Sequence, residues 1–173
     1  MTIAAAEHAA ARLNVDAIRL ARLQDLLVRT GATYDLLVER NAPPEMLRLI
    51  RHRLSEFHLQ LGRMHLAAGN VGEALESGAL ASSLQPGALD AALLHARALL
   101  AGDRIAEALP ILVQASMVHG SDATVHAVLA QVFRKIGRTS EAVASFRLAL
   151  AFKPDDKALK AALANALMSS GDA

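Results

Sequence analysis

Apolar residues recur along this chain at spacings of three and four. Val15, Ile18, Leu20, Leu23, Leu26 and Leu27 form one such stripe, with the period of an amphipathic helix. Gly31 predicts the end of that helix, because Gly supplies the left-handed conformation that closes one. Leu36, Leu37 and Val38 predict a short second helix over 33–40. The run Asn41-Ala42-Pro43-Pro44 then interrupts the pattern. Pro44 suits the first turn of a new helix, where a missing N–H costs nothing. Beyond it the spacing predicts helices over 44–68, 71–84, 87–101, 104–118, 122–136, 139–152 and 155–170.

A longer period lies over the helical one. Glu-Ala falls at Glu73-Ala74, Glu107-Ala108 and Glu141-Ala142, in steps of 34. Units counted from Ser55, Leu89 and Ala123 place Gly62, Ala96 and Ala130 at the eighth position. Ala74, Ala108 and Ala142 are then twentieth, and Ala81, Ala115 and Ala149 twenty-seventh. Pro86, Gly120 and Pro154 are thirty-second. Small residues at these places are what two closely packed antiparallel helices need, since a larger side chain would push the axes beyond the usual 8–10 Å. Turns at Gly69-Asn70, Gly102-Asp103 and Gly137-Arg138 follow the first helix of each unit. Pro or Gly at the thirty-second position stops the second helix.

This spacing and these residues resemble the tetratricopeptide repeat, a helix-turn-helix unit of 34 residues. The third unit matches best, through Leu129, Ala130, Phe133, Gly137, Ala142, Phe146, Ala149 and Pro154. The first departs from the pattern at two aromatic places, with His65 and Gly78, and the second is weaker, with His95, Leu99, Leu112 and Gly120. The resemblance implies an all-α fold: a right-handed α-solenoid of three repeats over 44–156. A helical extension or cap at 1–43 precedes it. At 157–173 follows a capping helix or a truncated fourth repeat, with Leu163, Ala164, Leu167 and Gly171 in register. Open repeat stacks need such caps.

Composition narrows the function. Aromatics are 3% of the chain, with no Trp and one Tyr, so Ala and Leu must fill the core. Lys plus Arg is 18 and Asp plus Glu is 17. A polyanion binder needs a basic excess, and a single-strand binder needs stacking rings; no nucleic-acid partner is expected. With no Cys, disulfides, thiol catalysis and Cys-based zinc sites are excluded. The N-terminus has no basic region, and Glu7 interrupts its apolar run, so it does not read as a secretory leader. No apolar run reaches the roughly 18 residues that span a bilayer; no membrane insertion is expected, and the cytoplasm is the default compartment.

If the family's superhelix holds here, positions two, five, nine and twelve of each first helix face its concave groove. Position nine supplies Arg63, Arg97, Gln131 and Asn165. Position five supplies Leu59 and Leu93, then Ala127 and Ala161. Position two supplies Glu56, Asp90 and Thr124, and position twelve Leu66, Leu100 and Arg134. The polar column can donate to the carbonyls of an extended peptide, and the Leu column can accept its apolar side chains. The same residues would also serve simply to solvate an exposed helix face. Family members that clamp acidic chaperone tails carry Lys and Asn where this chain has Leu59 and Arg63, so that mechanism is not expected.

Catalytic and metal motifs are missing from the sequence. His58 and His65 lie seven apart, too far for a zinc pair at i and i+4, and His65 and His95 occupy packing positions of the repeat. There is no phosphate loop, no paired carboxylate site and no nucleophile beside a base. No enzyme activity, cofactor or metal is expected. The reading is a scaffold or adaptor that holds a peptide segment of a protein partner in its groove. Two alternatives stay open: a chaperone like the class II chaperones of type III secretion, whose architecture is similar, and the substrate-recruiting arm of a larger glycosyl- or sulfotransferase. The N-terminal helices also offer a surface for a homodimer.

Overall fold

The computed structural model describes residues 3–170, and among these every regular element is a helix. They are α1 (Ile3–Glu39), α2 (Pro44–Ala68), α3 (Val71–Leu84), α4 (Leu89–Ala101), α5 (Ile105–Val118), α6 (Ala123–Lys135), α7 (Thr139–Phe152) and α8 (Lys157–Ser170). The seven helices after Pro43 agree with the predicted spans to within two residues at either end. Gly171, the predicted turn of a fourth unit, lies outside the described residues.

The N-terminal prediction needs correction. α1 runs through Gly31 without a break and ends at Glu39. One Gly inside a helix costs only about 1 kcal/mol relative to Ala, and the half-buried stripe of Leu20, Leu23, Leu27, Tyr34 and Leu37 continues on both sides of it. The Thr30 and Thr33 hydroxyls donate to the Leu26 and Arg29 carbonyls, at 2.6 and 2.8 Å. The true stop is Asn41, at φ 51°, ahead of Pro43.

Two compact units divide the chain, Met1–Gln85 and Pro86–Ala173. In the first, α1 packs on α2 and α2 on α3. Ser55, fully buried, donates to the Ala81 carbonyl at 3.2 Å across the α2–α3 contact. In the second, each helix from α4 to α8 packs on the next, and α4 also touches α6. One buried cluster there joins α6, α7 and α8 through Ala130, Phe146, Ala149, Leu159 and Ala166. Burying Phe146 to 2% exposure contributes roughly 1.5–3 kcal/mol relative to leaving it in water. All nine small residues of the three repeat columns are buried, and Ala74, Ala108 and Ala142 are fully so.

Turns repeat with the same register. The left-handed residues are Gly69, Asp103 and Gly137, at φ 80°, 58° and 76°, all at the fifteenth position. In the second unit Gly102 sits one place early, at φ −86°, so Asp103 takes the left-handed conformation instead. The next N–H reaches back to the carbonyl five residues before it: Asn70 to His65, Arg104 to Leu99 and Arg138 to Phe133, at 2.9, 2.8 and 2.9 Å. That bond satisfies a carbonyl the helix end leaves open. The Glu of each Glu-Ala pair in the second unit holds an Arg three residues before it: Arg104 Nε lies 2.6 Å from Glu107 and Arg138 Nε 2.7 Å from Glu141. These bonds hold both carboxyls below the usual carboxylate range. Asp122 and Asp156 cap α6 and α8 by accepting from backbone N–H groups, the shortest from Thr124 at 2.7 Å and Ala158 at 2.9 Å.

Candidate functional site

The candidate surface is built on the first helices of the repeats. In the second unit these are α4, α6 and α8. α4 is apolar except for Asp90, His95 and Arg97, and a helix apolar all round is buried. Asp90 and Arg97 are accordingly its exposed positions before Ala101. Leu93 and Leu100 are buried, at 6% and 8% exposure. This corrects one expectation: neither offers an open shelf to a guest's apolar side chain. The near-uniform apolarity of 89–101 was the signal for it.

On α6, Gln131 and Arg134 are exposed while Thr124 and Ala127 are half-buried. Asn165 and Met168 are exposed on α8. Lys135 ties the ends of α6 and α4: its Nζ donates to the Leu100 carbonyl at 3.1 Å and lies 3.6 Å from the Asp103 carboxylate. Together with the α4–α6 contact, this holds Arg97 and Gln131 on neighbouring helices, one repeat apart and both facing water. Helices in contact run roughly 8–10 Å apart, a separation that extended backbone spans in about three residues.

In the first unit, α2 carries the equivalent positions. Arg63 is exposed, and Leu59 and Leu66 are half-buried. Glu56 is not available as a lone carboxylate, because Arg53 donates to it at 2.8 Å and His52 Nε2 lies 3.5 Å away. His58 and His65 are buried on the same helix. His58 Nδ1 has no hydrogen-bond partner, and burial pulls its pKa below the usual histidine value. His95 is half-buried on α4, its pKa lowered by burial and then by Arg104, with Glu107 opposing. Among the described residues no three His, Asp or Glu side chains gather as a metal site would require.

A second feature of the first unit escaped the repeat register. α1 and α2 leave an open cleft of about 460 Å³ between them. From α1 it is lined by Arg19, Arg22, Leu23 and Leu26, and from α2 by Gln60, Arg63 and Met64. The two sets follow i, i+3, i+4 spacing on facing helices. The signal was present in the sequence, as Arg residues interleaved with the Leu stripe of α1, but a reading by period 34 does not reach residues before Ser55. An adjoining hollow of about 400 Å³ is lined by Asp16 and Leu20 against Met64, His65 and Asn70, among others.

Residues 65–132 match the tetratricopeptide repeat family. No curated protein matches the chain in sequence. Solved structures do resemble it. A thermophilic tetratricopeptide-repeat protein of Thermus thermophilus is 26% identical, with a TM-score of 0.64 over 93% of this chain and 81% of that one. The tetratricopeptide domain of Arabidopsis OM64 is 20% identical, with a TM-score of 0.63 over 67% of this chain and 96% of that domain. MamA from Desulfovibrio magneticus RS-1 is 16% identical, with a TM-score of 0.62 over 84% of this chain and 86% of that one. The fold is thus an all-α helical repeat of the solenoid class, which serves in general as a scaffold for protein partners. No helix among the described residues is long and apolar enough to cross a membrane. In repeat register and fold the chain is similar to tetratricopeptide-repeat proteins, and residues 65–132 carry the match to that family.

Proposed function

We propose that the protein is a scaffold that holds an extended segment of a partner protein across the first helices of its second unit, with Arg97 and Gln131 as the central donors. The observation that carries this reading is their exposure on neighbouring helices, while the leucines beside Arg97 are buried. The exposed surface of α4 and α6 is therefore polar and hydrogen-bonding, suited to a peptide backbone and to a carboxylate. An Arg bond to a carboxylate is charge-assisted and about twice as strong as a neutral one. Arg134 on α6 and Asn165 on α8 extend the same donor set, and Arg63 is its counterpart on α2.

A photo-crosslinking residue placed at Gln131 identifies the partner and the contact together. The purified partner is then titrated against wild type and an Arg97→Ala/Gln131→Ala variant. Losing each bond is expected to weaken binding by roughly 0.5–3 kcal/mol, the Arg more than the Gln, with helicity unchanged. Affinity equal to wild type in the double variant refutes the reading.

A further inference from the structure

We propose that the face of α1 turned away from α2 is a dimer interface. Its occupant is the same face of a second copy of this chain, lying antiparallel about a two-fold axis near Leu27. This goes beyond the peptide surface of α4 and α6 and shares no element with it.

The helical period defines the face. Leu20, Leu23, Leu27, Tyr34 and Leu37 are half-buried and form the stripe of α1 that packs on α2. On the opposite side Ile18, Ala21, Asp25, Val28, Ala32 and Leu36 follow one another at steps of three and four, all exposed. Such steps keep residues on one line along a helix. Val28 is 70% exposed, Ile18 48% and Leu36 44%. A helix at the edge of a fold ordinarily carries polar residues on its outer side. This one carries a second apolar stripe, with Asp25 near its middle.

The order of residues along the stripe identifies what covers it. Ile18 and Leu36 lie nine residues to either side of Leu27, and Asp25 and Arg29 lie two. Two copies laid antiparallel with their Leu27 residues level therefore bring Ile18 of each beside Leu36 of the other. Asp25 of each meets Arg29 of the other, and Ala21 comes within one residue of Ala32. A two-fold contact has this property: residue i meets j, and j meets i. A partner of another sequence would impose no such symmetry on the stripe. Within one helix Arg29 lies 3.6 Å from Asp25, both side chains largely in water. In the antiparallel pair the two ion pairs sit side by side with opposite charges facing. A parallel pair would set Asp25 against Asp25 and Arg29 against Arg29, which is repulsive. Ala21 and Ala32 leave room for the axes to approach to about 8 Å, the close end of helix packing.

The size of the face sets the strength. From Ile18 to Leu36 it is about 27 Å long and roughly 10 Å wide on each copy. A permanent dimer buries roughly 2,000 Å² or more. The pairing is therefore reversible and concentration-dependent.

The test is made on the full chain, whose lack of Cys gives crosslinking a clean background. Ile18→Cys and Leu36→Cys variants are oxidised alone and as a mixture. The mixture is expected to yield a disulfide dimer joining the two variants, and each alone very little. Sedimentation velocity over a concentration series then reads the affinity. Asp25→Arg and Arg29→Asp should each weaken dimerisation about fivefold or more, because the two-fold counts every substitution twice. Mixing those two variants, or combining both changes in one chain, should restore it. Ala32→Lys, which puts a long charged side chain in the seam, should weaken it at least as much, with unchanged circular dichroism. A monomer at every concentration overturns the proposal. So does crosslinking of each Cys variant with itself, which makes the pair parallel. A dimer that none of the α1 substitutions weakens places the contact elsewhere and also overturns it.

Discussion

At the scale of single residues, the fifteenth position of each repeat shows how far a motif can be read without coordinates. Gly69 and Gly137 were legible as turn residues, and both take positive φ. The Gly of the second turn pointed to the wrong place: the backbone keeps its register, and Asp103 carries φ 58°. Asp tolerates that region better than most residues with a Cβ, yet at a cost of order 1–2 kcal/mol. Asp103→Gly is therefore expected to leave stability unchanged or raise it by up to about 1 kcal/mol, the loss of its exposed contact with Lys135 counting for little. Gly137→Ala should do the reverse. A Cβ there would meet nothing within 4 Å, so the cost is conformational, about 1 kcal/mol or more. Urea midpoints of the two variants decide the matter, and a stabilised Gly137→Ala would contradict the assignment of the turn.

At the scale of elements, the helices after Pro43 were readable because three kinds of information agree there: apolar period, small-residue columns and breakers. At Gly31 only a breaker is present, and α1 runs on through it. A lone Gly is a weak breaker, and the packing stripe beneath it outweighs it. Burial on α4 was legible in principle from its composition, whereas the sites facing water on α4 and α6 required knowing which side the neighbouring helices cover. α5 holds the converse case. Pro110 lies inside the helix and exposed to solvent, where it can supply no N–H to the Ala106 carbonyl. Interior Pro costs a helix about 3 kcal/mol, partly offset by the entropy it removes from the unfolded chain. Pro110→Ala is accordingly expected to stabilise the protein by roughly 1–2 kcal/mol. An unchanged or lowered melting temperature would show that α5 is already bent to suit the ring.

For the molecule as a whole, acidity is a sharper probe than heat. The pKa of His58 is lowered by burial, and that of His95 by burial and Arg104. Both rings are more easily protonated in the unfolded chain than in the folded one. Stability is then fully present above the ordinary histidine pKa of about 6.5 and declines as pH falls below it. Denaturation midpoints are expected to drop between pH 7.5 and 5.5, and His58→Leu should flatten that slope. A midpoint that rises on acidification would mean the rings gain partners when charged.

The bonds that leave a helix have a kinetic consequence. Ser55 reaches Ala81, His119 reaches Gly87 and Lys135 reaches Leu100, spans of 26, 32 and 35 residues. Each joins one hairpin to itself or to the next. The chain closes these loops at small entropic cost, since that cost grows only with the logarithm of loop length. Low contact order of this kind goes with refolding on the microsecond-to-millisecond scale. Nucleation has no privileged address in such an array: any hairpin can form first and template its neighbour. Hydrogen exchange would then record a gradient of protection along the chain, with local openings preceding any global one.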